Sequence, residues 1–274
     1  MVANYRCLTL LLIVISSGCA KGGSDVLGPY YARLEAVPQE KWDALAQKRI
    51  FFGHKSVGLN IISGLEDVMR RFPSIRLDIR ETADPVDFDK PVFAHAQIGR
   101  NKLPQSKIDA FREALERGVG QNADIAFFKF CFVDIDHQTD LANLLESYVG
   151  TLESLRSMFP GTEFIAFTVP LVSRPVGLVA RLKKLLGRMP YYDAEHVQRS
   201  LYNDRLRERY KDHLFDLAAV ESSVAATRKA TLEKGGKEYE ILNRAYTDDG
   251  GHLNAVGRQI VAIELLIYLA SIVR

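Results

Sequence analysis

From residue 48 onward, apolar runs alternate with segments of helical period. Arg49 to Gly53 is a continuous apolar run of the kind expected of a strand buried on both faces. Ile61, Ile62, Leu65, Val68, Met69 and Phe72 then recur at helical spacing up to Pro73. Ile75 to Ile79 alternates and predicts a second strand. A long irregular stretch with Pro85 and Pro91 follows, ending at Gly99-Arg100-Asn101. Pro104 opens the next predicted helix, with Ile108, Phe111 and Leu115 inward and Gly118 as its stop.

The same rhythm fills the second half. Asp124 to Val133 is almost wholly apolar and predicts a third strand, interrupted by Lys129. Leu141, Leu144, Leu145, Tyr148, Leu152 and Leu155 mark one face of a helix over 141–159. Glu163 to Val169 reads as a fourth strand, 193–210 as a helix and Leu214 to Leu217 as a short fifth strand. An apolar helix beginning soon after Asn254 closes the chain; its interruptions and length argue against a membrane span. Strands alternating with helices predict a parallel sheet covered on both faces, with its ligand site beyond the strands' carboxyl ends. Ser56 follows the first strand, Asp134 follows the third and His252 precedes the last helix, so all three are expected on that rim.

The first residues read differently. Arg6 precedes an apolar run from Leu8 to Ile15, and Ser16-Ser17-Gly18-Cys19 follows. A basic start, a short apolar segment and small residues describe a secretory signal over 1–19. A cysteine directly after Gly18 resembles a bacterial lipoprotein signal with Cys19 as the acylated residue, although Ser16 stands where leucine is usual. Residues 20–36, with Gly22-Gly23-Ser24, are expected to be a tether, and 37–274 a single domain. A net charge of +2 argues against a dedicated nucleic-acid binder. Three cysteines, at 7, 19 and 131, offer no disulfide framework, and Cys131 in its apolar run reads as a small buried hydrophobe.

The candidate chemistry lies at the two ends of the domain. Thr247-Asp248-Asp249-Gly250-Gly251-His252-Leu253-Asn254 places a carboxylate three residues before a histidine on a glycine-bent turn, where it can orient the imidazole as a general base. Asp249 has that offset and Asp248 does not. Gly53-His54-Lys55-Ser56 puts a serine at a helix N-terminus, where free N–H groups favour negative charge. The bland reading makes Ser56 a helix cap and Asp249 a loop cap. Asp134-Ile135-Asp136-His137 reads as turn residues rather than metal ligands, with Asp134 free to accept backbone N–H bonds. His95, His196 and His213 fall in no partner pattern.

These blocks resemble the SGNH or GDSL-type serine hydrolases. Gly53-His54-Lys55-Ser56 stands for the family's first block, and Asp249-Gly250-Gly251-His252-Leu253 with Gly257 for its last. The resemblance implies a flavodoxin-like three-layer α/β sandwich around a five-stranded parallel sheet. It implies a serine esterase with Ser56 as nucleophile, His252 as base, Asp249 as orienting carboxylate and no metal or organic cofactor. It makes Gly99 the second-block oxyanion donor. The third block, Gly-x-Asn-Asp, corresponds to Cys131-Phe132-Val133-Asp134, which lacks both the glycine and the asparagine; Asn101 is the nearest replacement donor. His54 and Lys55 are expected to make the serine turn cationic.

The function expected is therefore an exported, lipid-anchored envelope esterase acting on an ester-bearing glycan or lipid through an acyl-serine. An envelope polysaccharide O-acyltransferase and a non-catalytic glycan- or lipid-binding lipoprotein are the alternatives. Residues 172–192 form a basic amphipathic insertion whose leucines are expected to pack on the body, or else to serve as a lid or membrane-facing flap.

Overall fold

The computed structural model describes residues 23–175, 182, 185–186, 192–225 and 228–273. Its strands are β1 Arg49–His54, β2 Ile79–Glu81, β3 Val92–Gln97, β4 Ile125–Phe128, β5 Glu163–Phe167 and β6 Leu214–Phe215, in the order β2-β3-β1-β4-β5-β6. All neighbours pair in parallel. Setting aside the short edge strand β2, the order is the 2-1-3-4-5 of a flavodoxin-like sheet. The α/β sandwich is as expected, with six strands instead of five.

The principal helices are α1 Gly23–Glu35, α2 Gln39–Ala46, α3 Val57–Arg71, α4 Pro104–Ala114, α5 Leu141–Met158, α6 Tyr192–Tyr210, α7 Leu217–Ser222 and α8 Ala255–Ile272. Side chains alternate across β1 and split the core in two. Ile50 and Phe52 pack with α1–α3, α7 and α8 around Ile61, Leu65, Ile263 and Leu266. Phe51 faces the opposite layer, α4–α6, with Phe111, Phe128, Tyr148 and Tyr202. By length and composition α8 is apolar enough to cross a bilayer, at a mean hydropathy of 1.6. Here it is a core helix, packed most extensively on α3 and also on α1, α2 and α7.

Several expectations need correction. The segment from Ile75 to Ile79 is not a strand; only Ile79–Glu81 pairs, at the sheet edge. Ile75, Leu77 and Ile79 all turn toward one core, which is what gave the segment its strand-like alternation. On the side of β1 away from β4 the neighbour is β3, inside the stretch read as irregular: Pro91 lies just ahead of the first paired residue, where a missing N–H breaks no ladder bond. The third strand stops at Phe128, and after Phe215 the chain turns helical instead of continuing as strand.

The tether expected over 20–36 is a helix over Gly23–Glu35, because Leu27, Tyr31 and Leu34 recur at helical spacing against α8. Tyr31 Oη also donates to Gln259 Oε1 at 2.7 Å. Cys19 and the signal-like run lie outside the described residues, as does most of the basic insertion. Leu182, Leu185 and Leu186 of that insertion are exposed, so they do not pack on the body as expected.

Candidate active site

The β1–α3 turn delivers Ser56 in a conformation unusual for a residue with a side chain, φ 54° and ψ −108°. Such backbone persists only where its surroundings over-determine it, at a cost of roughly 1–3 kcal/mol. Ser56 occupies the N-cap position of α3, yet its side chain makes no capping bond. Its Oγ lies instead 2.6 Å from His252 Nε2, across 196 residues of sequence.

The second half of the site is a self-contained loop. Asp249 Oδ1 accepts the N–H groups of Gly251 and His252, each at 2.8 Å, and Oδ2 accepts from His252 Nδ1 at 2.6 Å. A carboxylate only accepts, so the ring proton sits on Nδ1 and Nε2 is left to receive the Ser56 hydroxyl. Burial pushes the Asp249 carboxyl up, but the two N–H groups and the His252 ring together hold it well below the usual carboxylate range. Asp248 faces elsewhere, toward Asn254 Nδ2 at 3.3 Å. Gly250 adopts φ 97°, and a Cβ on Gly251 would lie 2.8 Å from the Phe132 ring. That ring meets His252 edge-on with centroids 5.9 Å apart. Leu253 N–H donates to Asn60 Oδ1 on α3 at 3.2 Å, which ties the loop to the helix carrying Ser56.

The rim beside Ser56 is built by the turn after β3. Gly99 has φ 57°, and a Cβ there would lie 2.6 Å from the Lys107 backbone nitrogen. Neither the Gly99 nor the Ser56 N–H has a protein acceptor among the described residues. Asp134, buried, accepts Lys102 N–H at 2.8 Å, Cys131 N–H at 2.6 Å and the Lys107 ammonium. Asp134 therefore joins the Gly99 turn to the loop after β4 by accepting backbone bonds. Lys107 also donates to Asn101 Oδ1 at 3.0 Å. An ammonium only donates, so this contact fixes the amide orientation and leaves Asn101 Nδ2 without a protein acceptor among the described residues. Asp136 Oδ1 accepts Gln138 N–H at 2.9 Å and the Thr139 hydroxyl at 3.0 Å, closing a local turn.

The expected cationic character of the turn needs correction. His54 is buried, its Nε2 3.0 Å from His95 Nδ1, and burial with Lys129 nearby pushes it down to about 3. It is neutral, which leaves Lys55 as the basic side chain of the turn itself. Sequence reading passed over Lys107 and Phe132. Lys107 had a usable signal: it lies four residues before Phe111 and eight before Leu115, on the apolar stripe of α4, where a lysine needs a buried partner. Phe132 had none, because its contact with the Gly251-His252 loop is made only by the fold.

A hydroxyl bonded to an imidazole that is held by a carboxylate can pass its proton to the ring as the oxygen attacks a carbonyl. His252 and Asp249 side chains are 47% and 57% exposed, so water reaches this arrangement.

No family model and no curated protein matches the chain. Among solved structures, a Streptococcus pneumonia protein described as a candidate platelet activating factor is 14% identical, with a TM-score of 0.49 over 91% of this chain and 93% of that one. The periplasmic domain of a Salmonella ser. Paratyphi A lipopolysaccharide acetyltransferase is 11% identical, with a TM-score of 0.45 over 88% and 95%. A salicylyl-acyltransferase from a tetracycline biosynthetic pathway is 12% identical, with a TM-score of 0.37 over 80% and 53%. Likenesses this distant leave the chemistry to the geometry of the chain itself.

Proposed function

We propose that this protein is a serine esterase of the SGNH type, cleaving a carboxylic ester through an acyl-serine. The observation that carries the reading is the continuous chain Ser56 Oγ–His252 Nε2, 2.6 Å, and His252 Nδ1–Asp249 Oδ2, 2.6 Å. Ser56 Oγ bonds to the ester carbonyl carbon as its proton moves to His252 Nε2. The carbonyl oxygen becomes an oxyanion, received by the N–H groups of Ser56 and Gly99, with Asn101 Nδ2 in place of the missing third-block asparagine. Collapse expels the alkoxide, which takes the proton from His252. Water then attacks the acyl-serine, giving its proton to His252, and the serine is released with the carboxylic acid. Asp249 keeps the ring oriented and stabilises its charged form.

Transfer to a sugar hydroxyl would use the same residues. Exposure of the His252 ring to solvent lets water reach the acyl-serine, as hydrolysis requires. The substrate class we assign is an O-acyl glycan or a lipid ester of the cell envelope, in keeping with an exported chain acylated on Cys19. Mass spectrometry of the membrane-extracted N-terminus tests that last element, and an unmodified Cys19 would remove it.

A fluorophosphonate probe on the purified protein tests the core claim. Labelling is expected in the wild type and abolished by Ser56→Ala; a folded wild type that stays unlabelled would favour the non-catalytic binding protein. Release of acetate from an aryl ester, with and without added oligosaccharide, separates the acceptors. Strict dependence on the sugar would replace the esterase with an acyltransferase.

A further inference from the structure

The peptide unit between Lys55 and Ser56 has two polar ends, and the fold loads one of them heavily. Its N–H, on Ser56, is one of the donors assigned above to the oxyanion. Its carbonyl, on Lys55, accepts from three groups: the Lys129 ammonium at 3.1 Å, the Gly58 N–H at 3.0 Å and the Cys131 thiol at 3.5 Å. Lys129 is fully buried just past the end of β4. Its own N–H donates to Gly53 O at 3.2 Å, and its ammonium also reaches Phe130 O at 3.2 Å. One residue thus grips the serine turn on both sides of His54.

Packing alone does not call for a lysine there. The side chain continues the apolar strand Ile125–Phe128, and burial disfavours its charged form. A methionine would occupy similar space without that cost. The other titratable groups facing it are Cys131 and Asp134 on the loop after β4, Lys107 on α4, Glu221 on α7 and His54 on β1. Glu221 Oε2 is taken by Leu171 N–H at 2.6 Å, and no carboxylate lies within hydrogen-bond distance of the Lys129 ammonium among the described residues. Its contacts are carbonyl oxygens, and one of them belongs to the amide that ends in the Ser56 N–H.

We propose that Lys129 is a positioning residue of this esterase, holding and polarising the Lys55–Ser56 amide so that the Ser56 N–H is presented to the oxyanion. The proposal rests on the function assigned above. A cation at an amide oxygen draws electron density through the peptide resonance and makes the N–H at the other end a stronger donor, as successive hydrogen bonds polarise one another. In the ammonium form, which burial disfavours and an oxyanion beside Ser56 would favour, its field in a low-dielectric interior also stabilises that negative charge. The same grip helps hold Ser56 at φ 54°, which a single donor would do less well.

The test compares wild type with Lys129→Met, Lys129→Gln and Lys129→Arg, reading kcat and KM on an aryl ester and the rate of fluorophosphonate labelling. Lys129→Met is expected to keep its near-UV circular dichroism, lose about 10-fold or more in kcat and labelling rate, and hold KM within about twofold. Lys129→Gln keeps a neutral donor and is expected between the two; Lys129→Arg keeps the charge and recovers part of the loss. Wild-type kcat in folded Lys129→Met, or a loss confined to KM, overturns the proposal. Should the methionine variant fail to fold, Lys129→Gln is read the same way, and an undiminished kcat there overturns it. An unlabelled wild type would instead remove the esterase function, before any variant is compared.

Discussion

The Lys107 ammonium and the Asp134 carboxylate form an ion pair in which neither side chain has any solvent exposure. It joins α4 to the loop after β4, and its spare bonding capacity holds Asn101 on one side and the Lys102 and Cys131 N–H groups on the other. Asp134→Ala would strand a buried cation and release both turns. The expected loss is about 3–5 kcal/mol in urea denaturation, with Asp134→Asn losing less because one acceptor oxygen remains. An Asp134→Ala variant as stable as the wild type would show that Lys107 is not held in this way.

The approach of Ser56 to His252 depends on how closely α3 and α8 pack. A Cβ on Gly64 would lie 2.2 Å from Arg258 O, so the helices touch backbone to backbone there. Gly64→Ala is expected to cost about 1–3 kcal/mol and to slow fluorophosphonate labelling, since α3 carries Ser56 and α8 follows His252. Gly150→Ala, in α5 with nothing within 4 Å, is the control and is expected to be neutral or stabilising by up to about 1 kcal/mol.

Strain at Ser56 gives a third stability prediction. Glycine reaches a positive φ without the Cβ penalty that alanine retains. Ser56→Gly is therefore expected to be more stable than Ser56→Ala by about 1 kcal/mol, both being unreactive to the probe. Equal thermal midpoints would mean that the backbone of the turn relaxes once the serine is gone.

His196, on α6, is buried, and neither ring nitrogen has a hydrogen-bond partner among the described residues. Burial, with Arg199 nearby, pushes it down from 6.5 to about 3. Between those values the unfolded chain binds the proton and the folded one does not. The stability tied to neutral His196 is thus complete above pH 6.5 and is lost as pH falls toward 3. His196→Phe is expected to gain roughly 1 kcal/mol at neutral pH by removing two orphaned polar atoms. It should also flatten the acid side of the stability profile measured from pH 7 to 4. An unchanged slope would assign the acid sensitivity to other groups, His54 among them.

Legibility in the sequence followed the range of each signal. Strand β1, helix α3, the apolar core of β4 and the closing helix announced themselves by local period, because burial on a sheet or helix face repeats every two or 3.6 residues. Strand β3 did not, since a proline lies just ahead of it and His95 looks polar until His54 is seen to pair with it. Helix α1 was hidden for the opposite reason: Gly22-Gly23-Ser24 suggested slack, while the partner that makes Leu27 and Leu34 buried lies at the far end of the chain.

What the chain by itself determined is therefore local: the alternation that makes an α/β sandwich, the Asp-Gly-Gly-His turn whose carboxylate bonds its own loop, and a serine placed at a helix start. What tertiary structure decided is every relationship that spans the sheet. Ser56 faces His252 because α3 and α8 pack through Gly64, Asn101 is aimed by a buried ion pair from two other segments, and His54 is neutral because the layer above it excludes water. Distances and desolvation of this kind arise only when remote segments meet, and no local period encodes them.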